Sequence, residues 1–327
     1  MRLSELGERG FVELVLKELR EAGIEAGDDA AFIEINGLRL AISCDMLVWS
    51  TDVPPGMAPY DVGWRAAVAC ISDLVAKGAR PLAILLSLGL PPLMGVEEAL
   101  DVFRGAREAA AEHGALLLGG DTNESLEGVV SVAGVASLAG PPIRRSGARP
   151  GDYVATTGYF GLTGAALNMA LRGLEPSDRR LRERLRLSLA RPRARLAEGL
   201  ALASLKAATA SIDSSDGLAA SLHQLAEASG VGLEIGHVPI AEEAVAFAEE
   251  FGLDPLELAL FGGEEYELVV TIPPGRWEEA VDAVKRVGAS LIKMGVVKPG
   301  AGVYLASRDG SLEEVPRRGW EHFRPRH

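Results

Sequence analysis

Residues 61–90 read DVGWRAAVACISDLVAKGARPLAILLSLGL, and the reading of the fold turns on this stretch. Small and apolar residues at helical spacing predict a helix from Asp61 to Lys77, Gly78 closes it, and Pro81 opens a strand. Working outward, residues 3–22 read as an amphipathic helix, with Leu6, Phe11, Leu14, Val15 and Leu19 near helical spacing. The runs 30–35 and 38–43 read as strands joined by Asn36-Gly37, a hairpin signal because both residues tolerate positive φ. A helix over 96–113 and strands over 115–118 and 129–138 complete the first half. A composition break at residues 140–147 (GPPIRRSG) divides the chain into 1–140 and 141–327. Beyond it come a strand at 153–156, a glycine-punctuated turn and helix over 158–170, and an Arg-rich segment over 178–195 that reads as a solvated helix face. A helix follows Asp216, and strands return at 266–272 and 291–297. Strands and helices alternate in both halves, so the chain is expected to form an α/β (α+β) two-domain protein.

Composition narrows the function classes. The chain has 327 residues, 48% hydrophobic, 24% charged and 5% aromatic, which suits a globular protein and excludes low-complexity disorder. The longest apolar run, Leu82 to Leu90, is about half of the ~20 residues that a membrane span needs. No basic, apolar leader opens the sequence, so a cytoplasmic location is expected. A net charge of −13 repels phosphate backbones and argues against nucleic acid as a partner. Two cysteines, Cys44 and Cys70, build neither a disulfide framework nor a four-ligand zinc site, and the five histidines show no metal-binding pair.

The chain contains no GxxxxGK[ST] loop, no dinucleotide glycine pattern and no GxSxG elbow. Residues 158–164 (GYFGLTG) either offer backbone N–H groups to an anion or form a tight strand-to-helix turn. What stands out is a series of aspartates at element ends or glycine-rich turns: Asp28, Asp29, Asp45, Asp73, Asp121, Asp213 and Asp216. Asp28 and Asp29 could be turn residues, Asp213 or a neighbouring serine could cap the helix entered at Asp216, and Asp121 could be an ordinary loop carboxylate. Asp73 resists such readings. It shares a helical stripe with Ala66, Ala69 and Cys70, where a carboxylate costs several kcal/mol unless paired or metal-bound. Two carboxylates about 4 Å apart repel by roughly 4 kcal/mol at a dielectric near 20, so seven would converge only around cations. All-oxygen donors select hard ions such as Mg²⁺, which gives a candidate Mg²⁺ and phosphate site.

At these motifs the sequence resembles the thiamine-monophosphate kinase family, within the superfamily that includes aminoimidazole ribonucleotide synthetase and selenophosphate synthetase. The resemblance rests on GDDAA, SCDML, ISDLVAKGARP, GGDTN, RRSGARPGD, SIDSSDGL, GGEEYEL and GWEHF, in the family's order over nearly the whole chain. It implies ATP-dependent phosphorylation of thiamine monophosphate to thiamine diphosphate with several Mg²⁺ ions and no phosphoenzyme. It also implies an N-terminal sheet-and-helix domain that binds ATP and Mg²⁺ and dimerises through its sheet, and a C-terminal α/β domain of the aminoimidazole ribonucleotide synthetase-like type. Carried over by motif, the metal ligands are Asp28, Asp29, Ser43, Cys44, Asp45, Asp73, Asp121, Asp213 and Asp216, with Cys44 standing where the family usually has threonine. Gly120, Asp121, Arg145 (Arg144 as its alternative) and Ser215 are implied to face ATP. Glu264 and Trp320 (Phe323 as its alternative) are implied to hold the thiamine moiety. Where the bacterial pattern has a substrate-contacting histidine, this chain has Asp52, which either takes over the contact or marks a loop that binds differently.

A transfer of this kind needs positioning and charge neutralisation more than covalent help. The acceptor phosphate is already anionic, so no general base is required. The rivals are another ATP-using enzyme of the superfamily and a non-catalytic nucleotide-binding regulator. No cysteine precedes Cys44, unlike the selenophosphate synthetases, and the chain ends Arg-Pro-Arg-His without a cysteine tail.

Overall fold

Asn36 and Gly37 take positive φ, 51° and 81°, and turn β1 (Ala31–Ile35) back onto β2 (Leu38–Val48). The computed structural model describes residues 2–307 and 309–323. Ahead of the hairpin lies α1 (Leu3–Glu21), interrupted at Gly7 (φ 77°, ψ 173°). Its Phe11, Leu14 and Val15 are exposed, so its apolar stripe packs into no core within the described chain. After β2 come α2 (Trp49–Asp52), α3 (Pro59–Ala76), β3 (Arg80–Leu90), α4 (Val96–Glu112), β4 (Leu116–Glu124) and β5 (Val129–Leu138). The strands form one sheet in the order β1-β2-β5-β3-β4, with only β3 and β4 parallel.

Pleat alternation gives this sheet two unlike faces. Ala41, Ser43 and Leu47 of β2, with Val130, Val132 and Ala136 of β5, point inward and are buried. α3 and α4 lie against this inner side. Their axes can approach closely because Gly63 and Gly105 sit at the crossing. A Cβ on Gly63 would come within 1.8 Å of the Val102 carbonyl oxygen, and one on Gly105 within 1.8 Å of the Tyr60 carbonyl oxygen. The outer face carries Ile42, Met46 and Leu85, with Leu116 and Leu118 toward the edge, all exposed.

The second half contains β6 (Tyr153–Thr156), α5 (Leu162–Arg172), α6 (Arg179–Ala190), α7 (Leu196–Leu205), β7 (Ala210–Asp213), α8 (Leu218–Ser229), β8 (Gly232–Ile235), α9 (Glu242–Phe251) and α10 (Pro255–Phe261). It ends with β9 (Leu268–Ile272), α11 (Trp277–Arg286), β10 (Ile292–Lys298), β11 (Gly302–Ala306) and β12 (Leu312–Glu314). These strands build a second sheet in the order β12-β11-β8-β10-β6-β9-β7. α8 buries Leu218, Leu222 and Leu225 against it beside Ile212, Leu233 and Val269. The Arg-rich segment is the helix α6, started by Asp178, whose carboxylate accepts the Arg180 amide; Leu185 and Leu189 on its other side are buried.

Two strands run further than their residue types suggest. β2 continues five residues past Ser43, and β4 continues through Gly119, Gly120 and Asp121. Asp45 and Asp121 therefore sit inside strands, not in turns. Glycine is needed at position 120, because a Cβ there would lie 1.7 Å from the Leu86 carbonyl oxygen on the neighbouring strand. Conversely, the strand expected from Tyr266 starts at Leu268, since Glu264 and Tyr266 take positive φ (62° and 52°) and break the pleat.

Candidate metal and phosphate site

The inner face of the first sheet, the end of α3 and the end of β7 meet at an acidic cluster. α3 is buried along nearly its whole length between the sheet, α4 and the second half of the chain. Asp73 stands near its C-terminal end. Asp213 closes β7, and Asp29 lies in the bend before β1. These carboxylates come from three distant segments, yet each brings an oxygen within 4.8 Å of the others. Ser43, pointing inward from β2, donates to Asp73 Oδ2 at 2.6 Å, and Ser72 donates to Asp213 Oδ2 at 2.6 Å.

The electrostatics are those of crowded, desolvated acids. Burial pushes the Asp73 carboxyl well above the usual range, and Asp213, Asp29 and Asp45 push in the same direction. Burial, with Asp29 beside it, raises Asp213 to about 7 against the opposing Ser72 bond. Asp45 is raised to about 6 by burial, with Glu264, Asp52 and Glu8 adding to it against the Met46 amide bond. Asp216 reaches about 6, raised by burial and Glu8 and opposed by Arg9. Asp29 goes the other way. Burial would raise it, but Lys77 and Arg145 outweigh that and hold its carboxyl below the usual range. The donor set is oxygen only, and its uncompensated negative charge fits a hard divalent cation.

Arg145 pairs with Asp29, and its backbone amide donates to Asp28 Oδ2 at 3.1 Å. Arg144 turns away to Glu25 at 2.7 Å and stacks on Phe32, so Arg145 is the arginine at the cluster. Asp28 sits behind Asp29, on Lys77 and the Arg145 amide. Asp213 caps no helix: the N-cap of α8 is Gly217, with no side-chain cap, and the Ser221 hydroxyl of that helix donates to the Asp213 carbonyl. Ser215 is exposed in the same loop.

Not every expected ligand is brought to the cluster. Cys44 follows Ser43 in the pleat and so points to the opposite, outer face, where its thiol lies 3.7 Å from Ser131 Oγ. Asp121 pairs in register with Ser87, which in turn pairs with Ser131, so it too is on that exposed outer face. Gly120, paired with Leu86, is on the inner face.

Beside the cluster lies a second group of residues. Glu264 is gripped by the buried Arg65, with Nη2 2.7 Å from Oε1 and Nε 3.0 Å from Oε2, and its amide bonds the Ser215 carbonyl at 2.6 Å. Arg65 also donates to the Asp52 carbonyl at 2.9 Å. Asp52 uses Oδ2 on its own chain, accepting the Val48 amide at 2.8 Å and the Thr51 hydroxyl at 3.0 Å; its Oδ1 lies 3.8 Å from His322 Nε2. The tail folds back here: the Trp320 amide bonds the Asp216 carbonyl at 3.1 Å, and the His322 amide bonds Glu8 at 2.9 Å. Phe323 is exposed at the end of this tail.

Sequence reasoning missed Lys77, Arg65, Ser72 and His322. Lys77 follows Asp73 by one helical turn, so the stripe argument that singled out Asp73 applies to it as well. Among the described residues, a cavity of about 810 Å³ near Tyr159 and Arg184 contains none of the cluster aspartates. The 158–164 turn beside it already has its acceptor: Glu265 Oε1 accepts the Gly161 amide at 2.6 Å and the Thr163 amide at 3.3 Å.

Comparison with known proteins adds a family to this geometry. Residues 27–138 match the AIR synthase related protein N-terminal domain, and residues 149–307 match the corresponding C-terminal domain. The thiamine-monophosphate kinase of Pyrococcus abyssi is 36% identical over 96% of this chain and 94% of its own. The chain belongs to the thiamine-monophosphate kinase family. The Aquifex aeolicus kinase is 34% identical over 99% of this chain and all of its own. The solved structure of AaThiL complexed with AMPPCP and TMP superposes with a TM-score of 0.88, at 33% identity over 98% of this chain and 99% of that one. The two-domain α/β architecture expected from the sequence is the architecture of this family.

Proposed function

We propose that the chain transfers the γ-phosphoryl group of ATP to the phosphate of thiamine monophosphate, giving ADP and thiamine diphosphate. The observation that carries this reading is the convergence of Asp29, Asp73 and Asp213, from three distant segments, beside Arg145. Family membership supplies the substrates.

In this proposal Asp29, Ser43, Asp45, Asp73, Asp213 and Asp216 hold Mg²⁺, while Asp28 acts from behind through Lys77 and Arg145. Bound Mg²⁺ would supply charge neutralisation on the polyphosphate. Arg145 offers a forked donor to phosphate oxygens, and Ser215, exposed in the adjacent loop, offers a hydroxyl. Glu264, fixed by Arg65, faces the thiamine end together with Trp320 and the Asp52 loop. No residue needs to remove a proton, because the attacking oxygen of a phosphate monoester is already anionic. That agrees with a cluster whose side chains are carboxylates and hydroxyls.

Asp121 suggests how two copies combine. It shares the outer face with the exposed Ile42, Met46, Leu85, Leu116 and Leu118, a contiguous apolar surface of the kind that marks an interface. Packing two copies through these sheets would present Asp121 to the partner's nucleotide, while Gly120 stays on the inner face of its own chain, and this favours a homodimer. A division of labour follows, with residues 1–140 carrying most metal ligands and the dimer contact, and residues 141–327 closing the site through Arg145, Asp213, Ser215, Asp216 and Glu264. Both cysteines are free thiols, which suits a reducing cytoplasm. Among the described residues no helix is long and apolar enough to cross a membrane.

Incubation with ATP, Mg²⁺ and thiamine monophosphate, followed by chromatography, tests the proposal. Thiamine diphosphate should appear in step with ADP. ADP formation that ignores thiamine monophosphate would overturn the assignment.

A further inference from the structure

Lys77 is fully buried, and its ammonium is held by three oxygens. Nζ lies 2.8 Å from Asp28 Oδ1, 2.6 Å from Asp29 Oδ2 and 2.7 Å from the Ser211 carbonyl oxygen. The three come from the bend before β1 and from β7, so the ammonium ties both segments to the end of α3. Asp28 is 11% and Asp29 2% exposed, which leaves water little part in this arrangement. An ammonium removed from water and ringed by oxygens is costly unless it neutralises charge that would otherwise repel. Here the charge is the Asp28–Asp29 pair.

We propose that Lys77 is an internal cation, filling a three-oxygen cage that a divalent ion would otherwise occupy. With Lys77 in place, one oxygen of Asp29 faces the lysine, the other faces Arg145, and the carboxylate stays ordered before any metal arrives. The metal-binding capacity of the chain is thereby confined to the side of Asp29 shared with Asp73 and Asp213. A purely structural ion pair has a different signature, because its loss weakens the fold whatever cations are present.

The inference rests on reading the acidic cluster as a cation site, and the test separates the two. Full-length wild type and Lys77→Ala are stripped with EDTA, and Mn²⁺ bound per chain is counted by equilibrium dialysis with electron paramagnetic resonance, without nucleotide. Melting temperatures are recorded in EDTA and in Mn²⁺. The variant should bind one more Mn²⁺ per chain than wild type. It should melt below wild type in EDTA and recover most of the difference when Mn²⁺ is added. An unchanged count, or destabilisation that Mn²⁺ leaves in place, overturns the proposal. So does a variant that fails to fold even in millimolar Mn²⁺, since the vacated cage would then not be rescued by a divalent ion. If wild type itself binds no Mn²⁺, the underlying site assignment fails instead.

Discussion

Replacing Asp73 by asparagine changes one charge and almost no volume, and Oδ1 of the amide can still accept the Ser43 hydroxyl bond. The carboxylate oxygens of Asp29, Asp73 and Asp213 lie within 4.8 Å of one another. At that separation and an effective dielectric near 20, each ionised pair repels by about 3.5 kcal/mol. Between fully ionised groups at that separation, removing the charge at Asp73 therefore relieves about 7 kcal/mol in the metal-free protein. The realised gain is smaller, because burial and the neighbouring Asp213, Asp29 and Asp45 already disfavour the charged form of Asp73. The sign survives this correction. In EDTA at pH 8 the Asp73→Asn protein should melt several degrees above wild type.

In Mg²⁺ the order should reverse. Wild type gains stability from an ion that neutralises three carboxylates, whereas the variant has lost a ligand and gains little. Formation of ADP dependent on thiamine monophosphate should vanish in the variant. Differential scanning fluorimetry in EDTA and in Mg²⁺, with a coupled ADP assay, reads both effects on one preparation. A variant that melts below wild type in EDTA and keeps the full Mg²⁺ shift would show that Asp73 is a structural carboxylate, and the site would need another centre.

Glu265 is raised to about 8 by burial, opposed by the Thr163 amide bond. Its folded pKa lies above the unfolded value, so its stabilising contribution is complete below pH about 4.5 and is lost as pH rises through about 8. Glu265→Gln should remove up to about 1.4 kcal/mol per pH unit from the pH dependence of stability in that window, gaining on wild type toward pH 8; parallel curves would refute the assignment. Asp52→Ala should raise KM for thiamine monophosphate more than KM for ATP. Equal changes would mean that Asp52 serves only the Val48 amide and the loop. Mixing inactive Asp73→Asn chains with inactive Asp121→Asn chains should regain about one quarter of wild-type activity, because half of the dimers then hold one intact site. Recovery near zero after verified subunit exchange would place Asp121 in its own chain's site.

Residue type and spacing made much of the scaffold legible. The Asn36-Gly37 hairpin, the helix ending near Lys77 and the strand at 153–156 follow from local chemistry that tertiary contacts did not override. The apolar stripe of α1 was legible as a pattern yet misleading as a core, because Phe11 and Leu14 find nothing to cover them within the described chain. The aspartates were legible as a set, since acids repeated beside glycines and element ends are hard to explain singly. Their sorting was not. Whether a strand residue faces the cluster depends on pleat parity, and parity depends on where the strand continues; reading β2 as ending at Ser43 left Cys44 and Asp45 without a face.

The same parity bears on how two chains would meet. Ser43 and Asp45 point inward to the cluster, while Cys44 points outward to the apolar face with Asp121. A side chain that alternation turns away from its own site becomes useful only if another molecule meets that face. The strand that supplies ligands to one site would thus also supply the surface through which a second copy completes it. Asp121, which contributes nothing to the cluster of its own chain, is the residue on which a paired enzyme would differ most from an isolated one.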